Sequence, residues 1–153
     1  MRIYLAAPLF TLAEQMFNKE LARLIEAELS GAEVILPQER AKQLLQMPNG
    51  LELIFDDCLQ MIHQSEVLVA ILDGADADSG TCIELGYAHC LRKPIVGVRT
   101  DFRASEDRGL NLMVSHICTA LVVASATDLP TLAGKIRCAL DEVSRSPSPN
   151  TLP

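Results

Sequence analysis

The sequence predicts an α/β fold, a single doubly wound sheet of about five parallel strands with helices on both faces, and two observations predict it. Short apolar runs alternate with segments whose apolar residues recur at three- and four-residue steps, which is the pattern of βα units laid onto a parallel sheet. A chain of 153 residues, 49% of them apolar, also has material for one core and not for two.

Taken in order, the strand candidates are residues 2–7, 33–36, 67–72, 95–99 and 120–124. Between the first two lies a helix with Phe17, Leu21, Leu24, Ile25 and Leu29 on one stripe and Gly31 as its stop signal. A second helix, 51–63, is expected to turn Leu51, Ile54, Phe55, Cys58, Leu59 and Ile62 toward the sheet. The run DGADADSG ends the third strand, and TCIELGYAHCLRK is a helix opening at 79–81. A last helix, 128–143, runs into the Ser/Pro-rich SRSPSPNTLP, so residues 1–145 are expected to form the domain and 146–153 a frayed tail. The expected architecture is flavodoxin- or Rossmann-like.

The formal net charge of -7 argues against a grip on nucleic-acid phosphates, which needs a surplus of cations on one face. Cys58, Cys82, Cys90, Cys118 and Cys138 form no CxxC pair and have no His in metal-ligand register, so they are expected to be reduced thiols, with no metal site. MRIYLAAPLF runs straight into a polar amphipathic helix without a cleavage region, and no stretch has the length of a membrane span. A cytoplasmic protein acting on a small ligand, without membrane or nucleic-acid partner, is the expectation.

Open parallel sheets bind ligands beyond the carboxyl ends of their strands, which selects the loops 6–10, 73–80 and 100–113. None contains GxGxxG, so the dinucleotide fingerprint is absent. Glu84 falls near the start of the helix after the third strand, where the positive dipole end is expected to keep a carboxylate ionised. Such a group at a pocket rim can attack an anomeric carbon and form a glycosyl ester; on position alone, it also simply complements the dipole. Asp73, Asp76 and Asp78 crowd one loop, where turn formation and helix capping are the ordinary uses of Asp. Three adjacent carboxylates also repel unless some face donors such as sugar hydroxyls.

With these residues in view, the chain resembles the nucleoside 2-deoxyribosyltransferase family. The opening IYLAAPLF, then VLVAILDG, DSGTCIELGYAHCLRKPIVG, RTDFR and NLM fall in the family's order over most of the first 115 residues. The resemblance implies that Glu84 is the nucleophile and that Tyr4 donates its hydroxyl to orient it. It implies that Asp78 binds the sugar 5'-hydroxyl with Asn111, which family members supply from a neighbouring subunit, and that Phe10 lines the base pocket. Asp73 and Gly80 are expected among the substrate-binding residues, and Met113 completes the NxM signature. The substrates implied are a deoxynucleoside and a free nucleobase. No cofactor is expected, and the implied assembly is a dimer or dimer-based hexamer with shared sites.

Many relatives place an Asp, thought to serve the leaving base, where this chain has Cys58, a poor proton donor. Water, Asp73 or a shifted Asp57 are the remaining acids. The rival activities are hydrolysis of deoxynucleoside 5'-monophosphates, phosphoribohydrolase chemistry of the cytokinin type, and ligand sensing without turnover. Family members that hydrolyse monophosphates carry Ser around the 5' position, whereas this chain has Asp78 and Asn111, and the run of glycines preceding the phosphoribohydrolase motif is missing.

Overall fold

The structure is a computed structural model that describes residues 1–103, 110–125 and 127–145. In chain order its elements are β1 (Arg2–Ala6), α1 (Leu12–Glu28), β2 (Glu33–Ile35), α2 (Pro37–Leu44), α3 (Gly50–Gln64) and β3 (Val67–Ile71). They continue as α4 (Ser79–Cys90), β4 (Ile95–Arg99), α5 (Leu112–Ile117), β5 (Ala120–Val123) and α6 (Leu129–Arg145). The five strands form one sheet in the order β2-β1-β3-β4-β5, every pair parallel, the order of a flavodoxin-like doubly wound sheet.

Strand alternation divides the core into two layers. Ile3, Leu5, Val67, Val69, Ile71, Val96 and Val98 point to one face and meet α1 and α6 through Leu21, Ile25, Leu132 and Ile136. Tyr4, Ala6, Leu68, Ala70, Leu72 and Ile95 point to the other and meet Met61 and Ile62 of α3 and Leu85 and Ala88 of α4. Tyr4 therefore belongs to the α3/α4 layer, as its parity on β1 requires.

Local chemistry fixes the helix ends. Thr11 and Glu14 form a reciprocal capping box at the start of α1. The helix ends at Glu28, and Gly31 takes the turn with φ +80, a conformation costly for any other residue. Two helices lack a sequence signal: α2 has Pro at its first position but no apolar stripe, and α5 is only 6 residues long. The stripe expected on α3 is partly wrong. Leu51 and Phe55 are 76% and 60% exposed, and among the apolar side chains of α3 only Met61 and Ile62 are buried. The helix meets the sheet only with its C-terminal half. The tail at 146–153 and positions 104–109 of the third loop lie outside the described residues. Among the described residues no helix is long and apolar enough to cross a membrane.

Gly97 leaves β4 close to its neighbours: a Cβ there would meet Cys118 Sγ at 2.8 Å, Leu121 Cδ1 at 2.9 Å and Leu72 Cδ1 at 3.0 Å. Gly97→Ala is expected to lower stability by about 1–3 kcal/mol through overpacking. A urea unfolding curve with a lower midpoint and an unchanged slope is the expected result, and an unshifted midpoint contradicts this packing.

Candidate active site

Tyr4 is the largest fully buried side chain of the core, and a buried phenol must find a partner for its hydroxyl. That partner is Glu84, whose Oε1 accepts the Tyr4 O–H at 2.6 Å. The cap is Asp78 and the helix begins at Ser79, within the expected opening at 79–81, which places Glu84 sixth in the helix, in its second turn. Thr81, Leu85 and Ala88 on the same helix are buried, and Glu84 follows that face inward to the end of the Tyr4 ring.

Position and burial reverse the expected electrostatics. Burial pushes the Glu84 carboxyl up to about 7, the Tyr4 hydroxyl opposes that rise, and the Asp78 carboxylate adds to it. Burial and the neighbouring Glu84 charge drive the Tyr4 hydroxyl far above its ordinary value, so the phenol keeps its proton. Cys58 sits against the same pair, its thiol raised mainly by burial, with Tyr4 and Glu84 as its neighbours. The position expected to serve the leaving base therefore does lie beside the nucleophile candidate, but as a thiol.

Asp78 caps α4. Its Oδ2 accepts from the Thr81 backbone N–H at 2.8 Å and the Thr81 hydroxyl at 3.1 Å, while its Oδ1 has no protein partner among the described residues. Gly80 keeps this cap open, since a Cβ there would stand 3.1 Å from Asp78 Oδ2. The cap thus engages one oxygen of Asp78 and leaves the other without a protein partner among the described residues.

Residues 3–113 match the family model for nucleoside 2-deoxyribosyltransferase, which spans more than half of the chain. The chain belongs to the nucleoside 2-deoxyribosyltransferase family. An uncharacterized protein of Ureaplasma parvum serovar 3 is 34% identical over 120 residues, covering 70% of this chain and 75% of that one. A solved conserved protein from Enterococcus faecalis V583 superposes with TM-score 0.70 at 25% identity, over 91% of this chain and 98% of that one. A 2-deoxyribosyltransferase from Bacillus psychrosaccharolyticus superposes with TM-score 0.63 at 26% identity, over 86% and 96%. Membership makes this a deoxyribosyltransferase-type enzyme, one that works on the glycosidic bond of nucleosides.

Within this family site the remaining sequence candidates fall into separate places. Phe10 is 74% exposed at the rim, on the loop that precedes α1, and its N–H is held by Glu14 Oε2 at 2.9 Å. Asn111 caps α5: its Oδ1 accepts from the Met113 N–H at 2.9 Å and the Val114 N–H at 3.4 Å, so this residue opens a helix rather than closing a structureless loop. Met113 itself is exposed. Asp73 is already engaged by the protein, accepting from the Thr100 N–H at 2.6 Å, the Thr100 hydroxyl at 2.5 Å and the Asp101 N–H at 2.9 Å. Asp57 gives both oxygens to Arg40, at 2.6 and 2.7 Å. Asp76 is exposed on the loop crest. Among the described residues no three His, Cys, Asp or Glu converge in a metal-binding group.

Two features escape sequence reading altogether. Asn18 and Gln38 form a buried pair, Asn18 Nδ2 donating to Gln38 Oε1 at 3.2 Å and to the Pro8 carbonyl at 2.9 Å, which ties the Phe10 loop to α1 and α2. Arg99 is 5% exposed at the end of β4 and donates to main-chain carbonyls. The only hint of either is a polar residue standing within an otherwise apolar pattern.

The Glu84 shift has a consequence for stability. Its folded value near 7 lies above the ordinary 4.5, so the fold favours the protonated acid. That contribution is fully present below pH 4.5 and is lost as pH rises through 7, by at most about 3 kcal/mol. Glu84→Gln imitates the acid and loses nothing. Thermal melts should show the variant gaining on the wild type between pH 4.5 and pH 8, and a gap independent of pH contradicts the raised Glu84 carboxyl.

Proposed function

We propose that this protein transfers the 2-deoxyribosyl group between nucleobases, cleaving the N-glycosidic bond of 2'-deoxynucleosides through a covalent ester on Glu84. The observation that carries the proposal is the 2.6 Å hydrogen bond from the buried Tyr4 hydroxyl to Glu84 Oε1, which joins β1 to the helix that follows the loop leaving the carboxyl end of β3, where such sheets bind ligands. It holds one oxygen and leaves Oε2 for C1'. The same burial that raises Glu84 to about 7 strips water from the anion, so the ionised fraction is a strong nucleophile near neutral pH.

In the first displacement Glu84 Oε2 bonds to C1' and the glycosidic electron pair leaves with the base, whose nitrogen takes a proton. Arg40 occupies Asp57 and three donors occupy Asp73, so solvent water is the proton source among the acids open to this site. In the second, a nitrogen of the incoming base attacks C1', the ester oxygen leaves as carboxylate and the proton of the base passes to water. Two inversions retain the configuration at C1'. The free Oδ1 of Asp78 suits the sugar 5'-hydroxyl as an acceptor, with Asn111 beside it and Phe10 against the base. Asp78 also separates this reading from 5'-monophosphate hydrolysis, since a phosphate dianion beside that carboxylate costs a few kcal/mol in a partly desolvated site. The chemistry needs no metal and no redox cofactor.

Incubation with deoxyinosine and free adenine tests the reading: deoxyadenosine is expected, and free deoxyribose should dominate only when adenine is left out. A 2'-fluoro-2'-deoxyarabinosyl nucleoside should leave its sugar on Glu84, found by peptide mass. An adduct on another residue removes Glu84 from its role, and no turnover with any deoxynucleoside leaves the sensor reading.

The assembly is a second part of the proposal. α4 lies against both α3 and α5 on the same sheet face. Leu51, Phe55, Ile83, Leu112 and Met113 are exposed on these three helices, apolar side chains that a subunit contact would cover. A two-fold contact through these side chains brings Asn111 of each subunit to the site of its partner. Inactive Glu84→Ala and Asn111→Ala proteins, mixed with subunit exchange shown by mass, should then regain activity, because a mixed dimer has one site free of both lesions. No recovery after proven exchange means that Asn111 serves its own chain.

A further inference from the structure

The run RTDFR and the aspartate that opens DGADADSG are absorbed by none of the chemistry above, yet they interlock. Asp73, just beyond β3, accepts from the N–H groups of Thr100 and Asp101 at 2.6 and 2.9 Å and from the Thr100 hydroxyl at 2.5 Å. In the opposite direction Arg99, at the end of β4, donates Nη1 to the Leu72 carbonyl at 2.6 Å and Nη2 to the Gly74 carbonyl at 3.2 Å. Asp101 returns the tie by accepting the Gly74 N–H at 3.2 Å, and is itself paired with the Arg103 guanidinium. Arg99 Nη2 also reaches the Arg103 carbonyl at 3.1 Å. Two loops that leave neighbouring strands are therefore tied reciprocally, each through side chains aimed at the other's backbone.

Placing an arginine at 5% exposure is costly unless its donors are satisfied, and here they are spent on main-chain carbonyls of these two loops. The clasp ends at Gly74, whose φ of +118 suits glycine and whose missing Cβ would stand 2.8 Å from the Asp76 carbonyl oxygen. Four residues later the chain reaches Asp78, which must present Oδ1 while Oδ2 caps α4. A short segment pinned at both ends leaves Asp78 little freedom.

We propose that Asp73 and Arg99 are positioning residues for donor recognition: through the clasp at Gly74 they set the place of the Asp78 carboxylate, and through it the hold on the sugar 5'-hydroxyl. The proposal rests on the deoxyribosyl-transfer reading and on Asp78 as the 5'-hydroxyl acceptor. Neither Asp73 nor Arg99 touches the substrate, so their loss is expressed only where Asp78 is used.

The experiment compares a 2'-deoxynucleoside donor with its 2',5'-dideoxy analogue, which lacks the 5'-hydroxyl, in wild type, Asp73→Ala, Asp73→Asn and Arg99→Lys, all assayed well below their melting temperatures. Wild type should prefer the hydroxylated donor by about tenfold or more in kcat/KM, the worth of a hydrogen bond to a charged group. Asp73→Ala should lose most of that preference through a KM raised about tenfold for the hydroxylated donor, with the analogue changed less than about threefold. Asp73→Asn and Arg99→Lys, which keep part of the bonding, should fall between, and they carry the test if the Ala variant does not fold. The pH dependence set by Glu84 should stay where it is. Equal losses on both donors, or no loss on either, overturn the proposal. A wild type that turns over both donors with equal kcat/KM overturns it from the other side, by removing Asp78 from the 5' position while leaving Glu84 chemistry standing. A wild type inactive on both overturns the transfer reading itself.

Discussion

The hydrogen bond from Tyr4 to Glu84 joins the core to the candidate site. A phenol at the centre of the sheet has no water to bond, so the fold must bring an acceptor to its hydroxyl or carry an unsatisfied polar group in the core. The acceptor comes from α4, and α4 can supply it only if Asp78 starts the helix where it does and if Leu85 and Ala88 seat the helix on the sheet. One short contact therefore couples strand parity, helix register and cap position to the orientation of a single carboxylate.

The acidic residues around the strand ends show how one side-chain type is divided among tasks by its surroundings. Glu84 is partly buried with one hydroxyl partner and is pushed up to about 7. Asp78 gives one oxygen to the start of α4. Asp73 is saturated by three donors from the next loop, and Asp57 is closed by a two-pronged arginine. These residues all fall between positions 57 and 84, and their neighbours, rather than their spacing, decide which are left without a protein partner.

The scaffold around them is held by polar contacts as much as by apolar ones. The α1/α6 layer is a plain apolar core, whereas the strand ends rely on the Asn18–Gln38 pair, the Arg99 donors and the Asp73 acceptors to shape loops that have no regular structure. Loops on a sheet crest cannot satisfy their backbone groups by ladders, so buried side chains take that part.

By itself the sequence determined the α/β class, the five strands within a residue or two, helices on both faces of the sheet, and the family from which Glu84, Tyr4 and Asp78 are drawn as candidates. Each of these is written in local periodicity, in a cap residue, or in a run long enough to resemble a family. Tertiary structure alone decided the rest. The outward turn of Leu51 and Phe55 follows from how far α3 extends past the sheet, which apolar spacing does not record. α2 and α5 are too polar or too short to leave a periodic signal. The reversal of the Glu84 expectation has the same origin: a helix start favours an anion by position, but burial against Tyr4 and Asp78 depends on what lies across the gap, and that is set by contacts 80 residues apart in the chain.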